Sequence, residues 1–213
     1  MLFTKFFEYV DYKKKPSRAQ ELNETEFMEI LKNKCTFWVK SNIQLYRQVN
    51  SSEDFILYDG LSNKPRTNVY ATGEESYQKI LKFNADNNFP DRLKSIYMSN
   101  KKDNSMGYGI YEYLCIPLDN SLVAGIPTFE NNILRGIDPD NFNREQFFCE
   151  KYDSTFNTKL NNYIKKLPKI QKELDLPVPA NIRYHNVIET FSSDPILCIS
   201  IKALERYPQF KGL

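Results

Sequence analysis

The chain has 213 residues, 41% of them hydrophobic, enough for one full core or for one core with an appended subdomain. Its 29 basic and 27 acidic side chains leave a formal charge of +2, which gives no electrostatic case for a nucleic-acid or membrane surface. Cysteines 35, 115, 149 and 198 lack metal-type spacing and His185 is the single histidine, so a structural zinc site is disfavoured and reduced thiols in a cytoplasmic setting are expected.

Met1 to Tyr9 hold too short an apolar stretch for a secretory signal, and nowhere is there an apolar run of the roughly eighteen residues a membrane helix needs. Lys13-Lys14-Lys15 reads as a solvated basic run. Phe27, Ile30 and Leu31 have helical spacing after Thr25, which offers a capped start. Residues Phe37 to Val49 read as strand, Asn50 to Asp54 as a turn, and Phe55 to Tyr58 as a second strand. A loop from Leu61 to Thr72 precedes a helical pattern through Tyr77, Ile80, Leu81 and Phe83. Strand character returns at Ser95 to Ser99 and from Gly109 to Ile116.

Pro127, Asn131, Asn132, Gly136 and Pro139 then mark a long irregular region, and a strand opens at Glu145. Leu160, Tyr163, Ile164 and Leu167 define one face of a lysine-rich helix that Pro168 should kink or end. Ile196 to Ile201 is the last strand-like run. Elements alternate without a regular strand-helix period, which favours α+β over a doubly wound sheet. With seven glycines and no phosphate-loop or dinucleotide glycine spacing, kinase, NTPase and Rossmann readings are disfavoured.

Three segments stand in order: Leu45-Tyr46-Arg47, Ser95-Ile96-Tyr97-Met98-Ser99, and Asn143-x-Glu145 followed by an apolar run. In this order an arginine, a serine-bearing strand and a glutamate resemble the NAD-binding core of ADP-ribosyltransferases. Tyr108-Gly109 after a polar loop, and Lys64-Pro65-Arg66-Thr67 between the first two motifs, are similar to a phage-encoded branch. The likeness spans roughly Glu26 to Tyr152. It implies an α+β fold of two small packed sheets, a split β-sandwich with flanking helices. Residues 1–152 would form the core with an N-terminal helix, and 153–213 a helix and strand extension on the same domain.

The resemblance also implies an activity: transfer of ADP-ribose from NAD, as co-substrate, to a host macromolecule, protein rather than nucleic acid, in the host cytoplasm or from a virion. That chemistry passes through an oxocarbenium-like ribose. Arg47 would grip phosphate or ribose oxygens, Ser95 or Ser99 would orient the ribose, and Glu145 would stabilise the positive charge. Tyr108 would stack on nicotinamide and Arg66 contact phosphate. Asn143 stands where arginine-specific members carry a second glutamate, which puts arginine as the acceptor in doubt. Each residue also has a plain reading: Arg47 as a salt-bridged strand arginine, Glu145 as a strand-start carboxylate, the serines as polar strand positions. On that reading the fold serves as a binding or virion-associated protein without chemistry.

Overall fold

The computed structural model describes residues 19–38, 44–59, 74–102, 109–127, 142–173, 187–207 and 210. Nine strands and four α-helices lie within them, in the order β1 (Ala19–Glu21), α1 (Glu24–Lys34), β2 (Leu45–Val49), β3 (Phe55–Tyr58), α2 (Glu74–Asp86), β4 (Ile96–Ser99), β5 (Tyr111–Pro117), β6 (Leu122–Pro127), β7 (Phe148–Lys151), α3 (Phe156–Glu173), β8 (Ile188–Ser192), β9 (Ile196–Ser200) and α4 (Ile201–Arg206). The strands form one antiparallel sheet in the order β1-β3-β9-β5-β2-β4-β8-β6-β7.

Helix α1 starts before Thr25. Asn23 accepts the Glu26 N–H at 3.0 Å while Glu26 accepts the Asn23 N–H at 2.8 Å, a reciprocal cap that satisfies two otherwise orphaned donors. Phe27 and Leu31, four apart, are its buried stripe. The strand run expected from Phe37 is shorter. Thr36 and Phe37 turn because Asp119 accepts both backbone N–H groups and the Thr36 hydroxyl. Pairing begins at Leu45, and residues 39–43 lie outside the described segments.

The turn expected at Asn50 to Asp54 is present, held by the buried Tyr113 hydroxyl, which donates to the carbonyls of Ser51 and Glu53. Pro168 does not end α3. It lies on the exposed side, and Leu167 and Ile170 keep the next turn on the core. Strand β7 opens at Phe148 rather than at Glu145. Strands β8 and β9, from the region expected as an extension, occupy interior positions: β9 between β3 and β5, β8 between β4 and β6.

The sheet has two halves, β1-β3-β9-β5-β2 and β4-β8-β6-β7. Among the described residues they join at one pairing, Tyr46 with Ser99. Paired residues share a face, so Tyr46, Leu114, Ser99 and Glu189 lie on one side of the ladder and Ile188 on the other. Leu114 and Ile188 nevertheless enter the same core cluster, together with Phe148, Val123, Ile199 and residues of α1, α3 and α4. The inward face therefore switches at the β2–β4 junction, and the halves fold over a shared core. A second cluster, with Val49, Tyr58, Met98, Tyr113 and Cys198, covers the back of the first half. A third, with Phe89, Phe191 and Ile126 beneath Phe83 of α2, covers that of the second.

Candidate functional site at the junction of the sheet halves

Arg47 lies on β2 where its pairing with β4 is lost. Strand alternation directs it away from the Tyr46 side, and its guanidinium spans the gap: Nη1 donates to the Tyr97 carbonyl of β4 at 2.6 Å. It also lies 6.0 Å from the ring centre of Tyr58. Its Nε is buried with no hydrogen-bond partner among the described residues, an arrangement that costs about 1–3 kcal/mol unless a further acceptor arrives. Burial pushes the Tyr58 hydroxyl well above its ordinary range, and the Arg47 charge partly opposes that shift.

The two serines of β4 and its lead-in differ. Ser95 is fully buried, and both its hydroxyl and its N–H donate to the Asp91 carbonyl, at 2.7 and 2.9 Å, closing the turn before the strand. Ser99 sits at the junction itself. It pairs with Tyr46 on one side and Glu189 on the other, and its Oγ accepts the Lys101 N–H at 3.1 Å. Asn100, next in the chain, accepts the Ile188 N–H at 2.9 Å and ties the start of β8 to the end of β4.

Glu145 lies elsewhere. It is exposed, in a 3-10 turn (Arg144–Gln146) ahead of β7, at the outer edge of the second half. Three strands, β4, β8 and β6, separate β7 from β2 in the sheet order. The polar pattern around Glu145 has a local cause: Asn143 accepts the Glu145 N–H at 3.1 Å and Gln146 accepts the Asn143 N–H at 3.0 Å. Arg66 and Tyr108 lie outside the described residues. Gly109 is placed against the end of β2, where a Cβ would come within 2.1 Å of the Val49 carbonyl carbon, so only glycine fits.

The carboxylate paired with Ser99 is Glu189, directly across from it on β8, with its side chain 13% exposed. Arg92 donates to its Oε1 at 3.2 Å. The sequence carried a signal for it. Glu189 follows an apolar residue in Val187-Ile188-Glu189-Thr190-Phe191, and this segment carries the same sort of strand-opening glutamate as the one around Glu145. Without the register, neither glutamate could be placed beside the serine.

Compared with protein-family models, curated proteins and solved structures, the chain matches none. No helix among the described residues is long and apolar enough to cross a membrane.

Proposed function

We propose that the chain is an NAD-dependent ADP-ribosyltransferase with a split β-sandwich, using Arg47, Ser99 and Glu189 on the consecutive strands β2, β4 and β8. One observation carries this reading: Ser99 pairs directly with Glu189, and Arg47 fills the gap on the other side of the same strand. The residues fit a dinucleotide. The unpartnered Nε of Arg47 supplies a donor for a phosphate or ribose oxygen. The Ser99 hydroxyl accepts one bond and keeps a proton to donate to a ribose oxygen.

NAD supplies a nicotinamide that leaves C1′ of its ribose with the bonding electron pair. Glu189 faces the positive charge that develops on that ribose and accepts a bond from a ribose hydroxyl, an interaction strongest in the transition state. An acceptor nucleophile then bonds to C1′ and gives up its proton. The acceptor in this proposal is a host macromolecule, a protein side chain before a nucleic acid, modified by a phage-encoded enzyme in the host cytoplasm.

Three observations favour a second reading, a binding protein that keeps the fold without the chemistry. Ser99 is fully buried, Glu189 is held by Arg92, and Arg47 starts on the opposite face of the ladder. Nicotinamide release and transfer of labelled ADP-ribose in bacterial lysate decide between the two. The transferase reading expects turnover in the wild type and in Glu145→Gln, and its loss in Glu189→Gln. NAD binding without turnover in any of the three would leave the binding protein.

A further inference from the structure

A second arginine approaches the candidate site from the turn before β4. Asp91 builds that turn: its carbonyl accepts the N–H groups of Lys94 and Ser95, at 3.1 and 2.9 Å, and its Oδ1 accepts that of Leu93 at 2.9 Å. Arg92 is carried inward, with its side chain only 7% exposed. Its guanidinium carbon lies 4.7 Å from the ring centre of Phe191 and 5.0 Å from that of Tyr97, two residues directly paired across β4 and β8. The Tyr97 hydroxyl donates back to the Arg92 carbonyl at 2.9 Å. From that seat Nη2 reaches Oε1 of Glu189.

A planar cation stacked on two rings is held far more tightly than a lysine would be, because an ammonium has no flat face to stack. The same strand that carries Ser99 therefore also supplies, through Tyr97, part of the seat of the arginine gripping Glu189. We propose that Arg92 is a positioning residue, orienting the Glu189 carboxylate toward the ribose while itself touching no substrate. The inference rests on Glu189 being the reacting carboxylate.

A merely structural ion pair would change stability and the folded fraction. A positioning contact changes kcat per folded molecule, and the two are separable. Nicotinamide release would be followed with NAD as the varied substrate for the full chain as wild type, Glu189→Gln, Arg92→Met, Arg92→Ala and the double variant Arg92→Met with Glu189→Gln, with thermal unfolding of each. Methionine keeps the apolar contact with the rings.

The expected result is a fall in kcat on the order of 10²-fold for Arg92→Met, with KM for NAD within about threefold of wild type. The double variant should be no slower than Glu189→Gln alone, because both changes act through one group. In Arg92→Ala the slot beside the rings should accept guanidinium ion, and millimolar guanidinium should restore several-fold of the lost kcat. Wild-type kcat in correctly folded Arg92→Met, or losses that follow only the folded fraction without guanidinium rescue, would overturn the proposal. Undiminished turnover in Glu189→Gln would instead remove the reading on which it rests, as would absence of turnover in the wild type.

Discussion

The ladder from β3 through β9 and β5 to β2 and the junction between β2 and β4 use the same backbone geometry to different ends. Four positions pair between β3 and β9, five between β9 and β5, and five between β5 and β2. Almost every inward residue there is apolar, with Leu114, Ile116, Leu197 and Ile199 essentially inaccessible. At the junction one pair remains among the described residues, and the residues around it are Arg47, Ser99, Thr190, Glu189 and Arg92. Buried polar groups cost free energy unless they are bonded. The zipped ladder buries apolar side chains along its length, whereas the junction gives up part of that burial to polar groups. Local rules that fail at one place in an otherwise consistent sheet commonly mark a functional site.

The contrast can be broken from the stable side first. Phe27 is fully buried and packs on Phe55, with ring centres 4.7 Å apart, and on Phe210. Phe27→Ala should cost about 3–5 kcal/mol in urea unfolding while leaving NAD affinity per folded molecule unchanged. Gly109→Ala comes next. Its methyl group would strike the Val49 backbone at the end of β2, so a loss of about 1–3 kcal/mol is expected. Because that strand carries Arg47, this variant should also weaken NAD binding, whereas Phe27→Ala should not. Asn23→Ala removes the cap of α1, well away from the junction, and should cost about 1 kcal/mol by the same unfolding assay.

A further effect is alkaline. Burial pushes the Cys35 thiol from 9.0 to about 12 and the Cys149 thiol from 9.0 to about 11. Both groups stay protonated in the folded chain at a pH where the unfolded chain releases the proton. The unfolded state thus binds fewer protons above pH 9, and stability falls as pH rises through the window from about 9 to about 12. The urea midpoint should drop between pH 8 and pH 10, and Cys35→Ala should flatten that slope.

The periodic elements were legible from the residues alone. Phe55–Tyr58, Ile96–Ser99 and Tyr111–Pro117 follow from apolar and aromatic runs whose positions are mostly buried, and α3 from helical spacing that matches its buried face. Strand β6 was hidden because Gly125 and Pro127 imitate loop signals. Gly125 is instead a strand position, where an added Cβ would lie 3.4 Å from the Cβ of Phe148. Strand β8 was hidden because Glu189, Thr190 and Ser192 make half of it polar, and only burial on both sides explains that pattern.

Arg47 and the pair Ser95 and Ser99 could be singled out because their residue types and order suit an anion and a ribose, and pairing in the sheet separates the two serines. Choosing between Glu145 and Glu189 needed long-range pairing, since each is a glutamate near the start of a strand. Register across the sheet places Glu189 beside Ser99, and no local signal encodes that.

The most direct measurement is a titration of the isotopically labelled chain with NAD, followed by backbone amide shifts. The account predicts saturable perturbations that cluster at Arg47, Tyr97, Ser99 and Glu189, are absent at Glu145, and weaken in Arg47→Ala. Perturbations centred on Glu145 and β7, or no saturable binding at all, would contradict it.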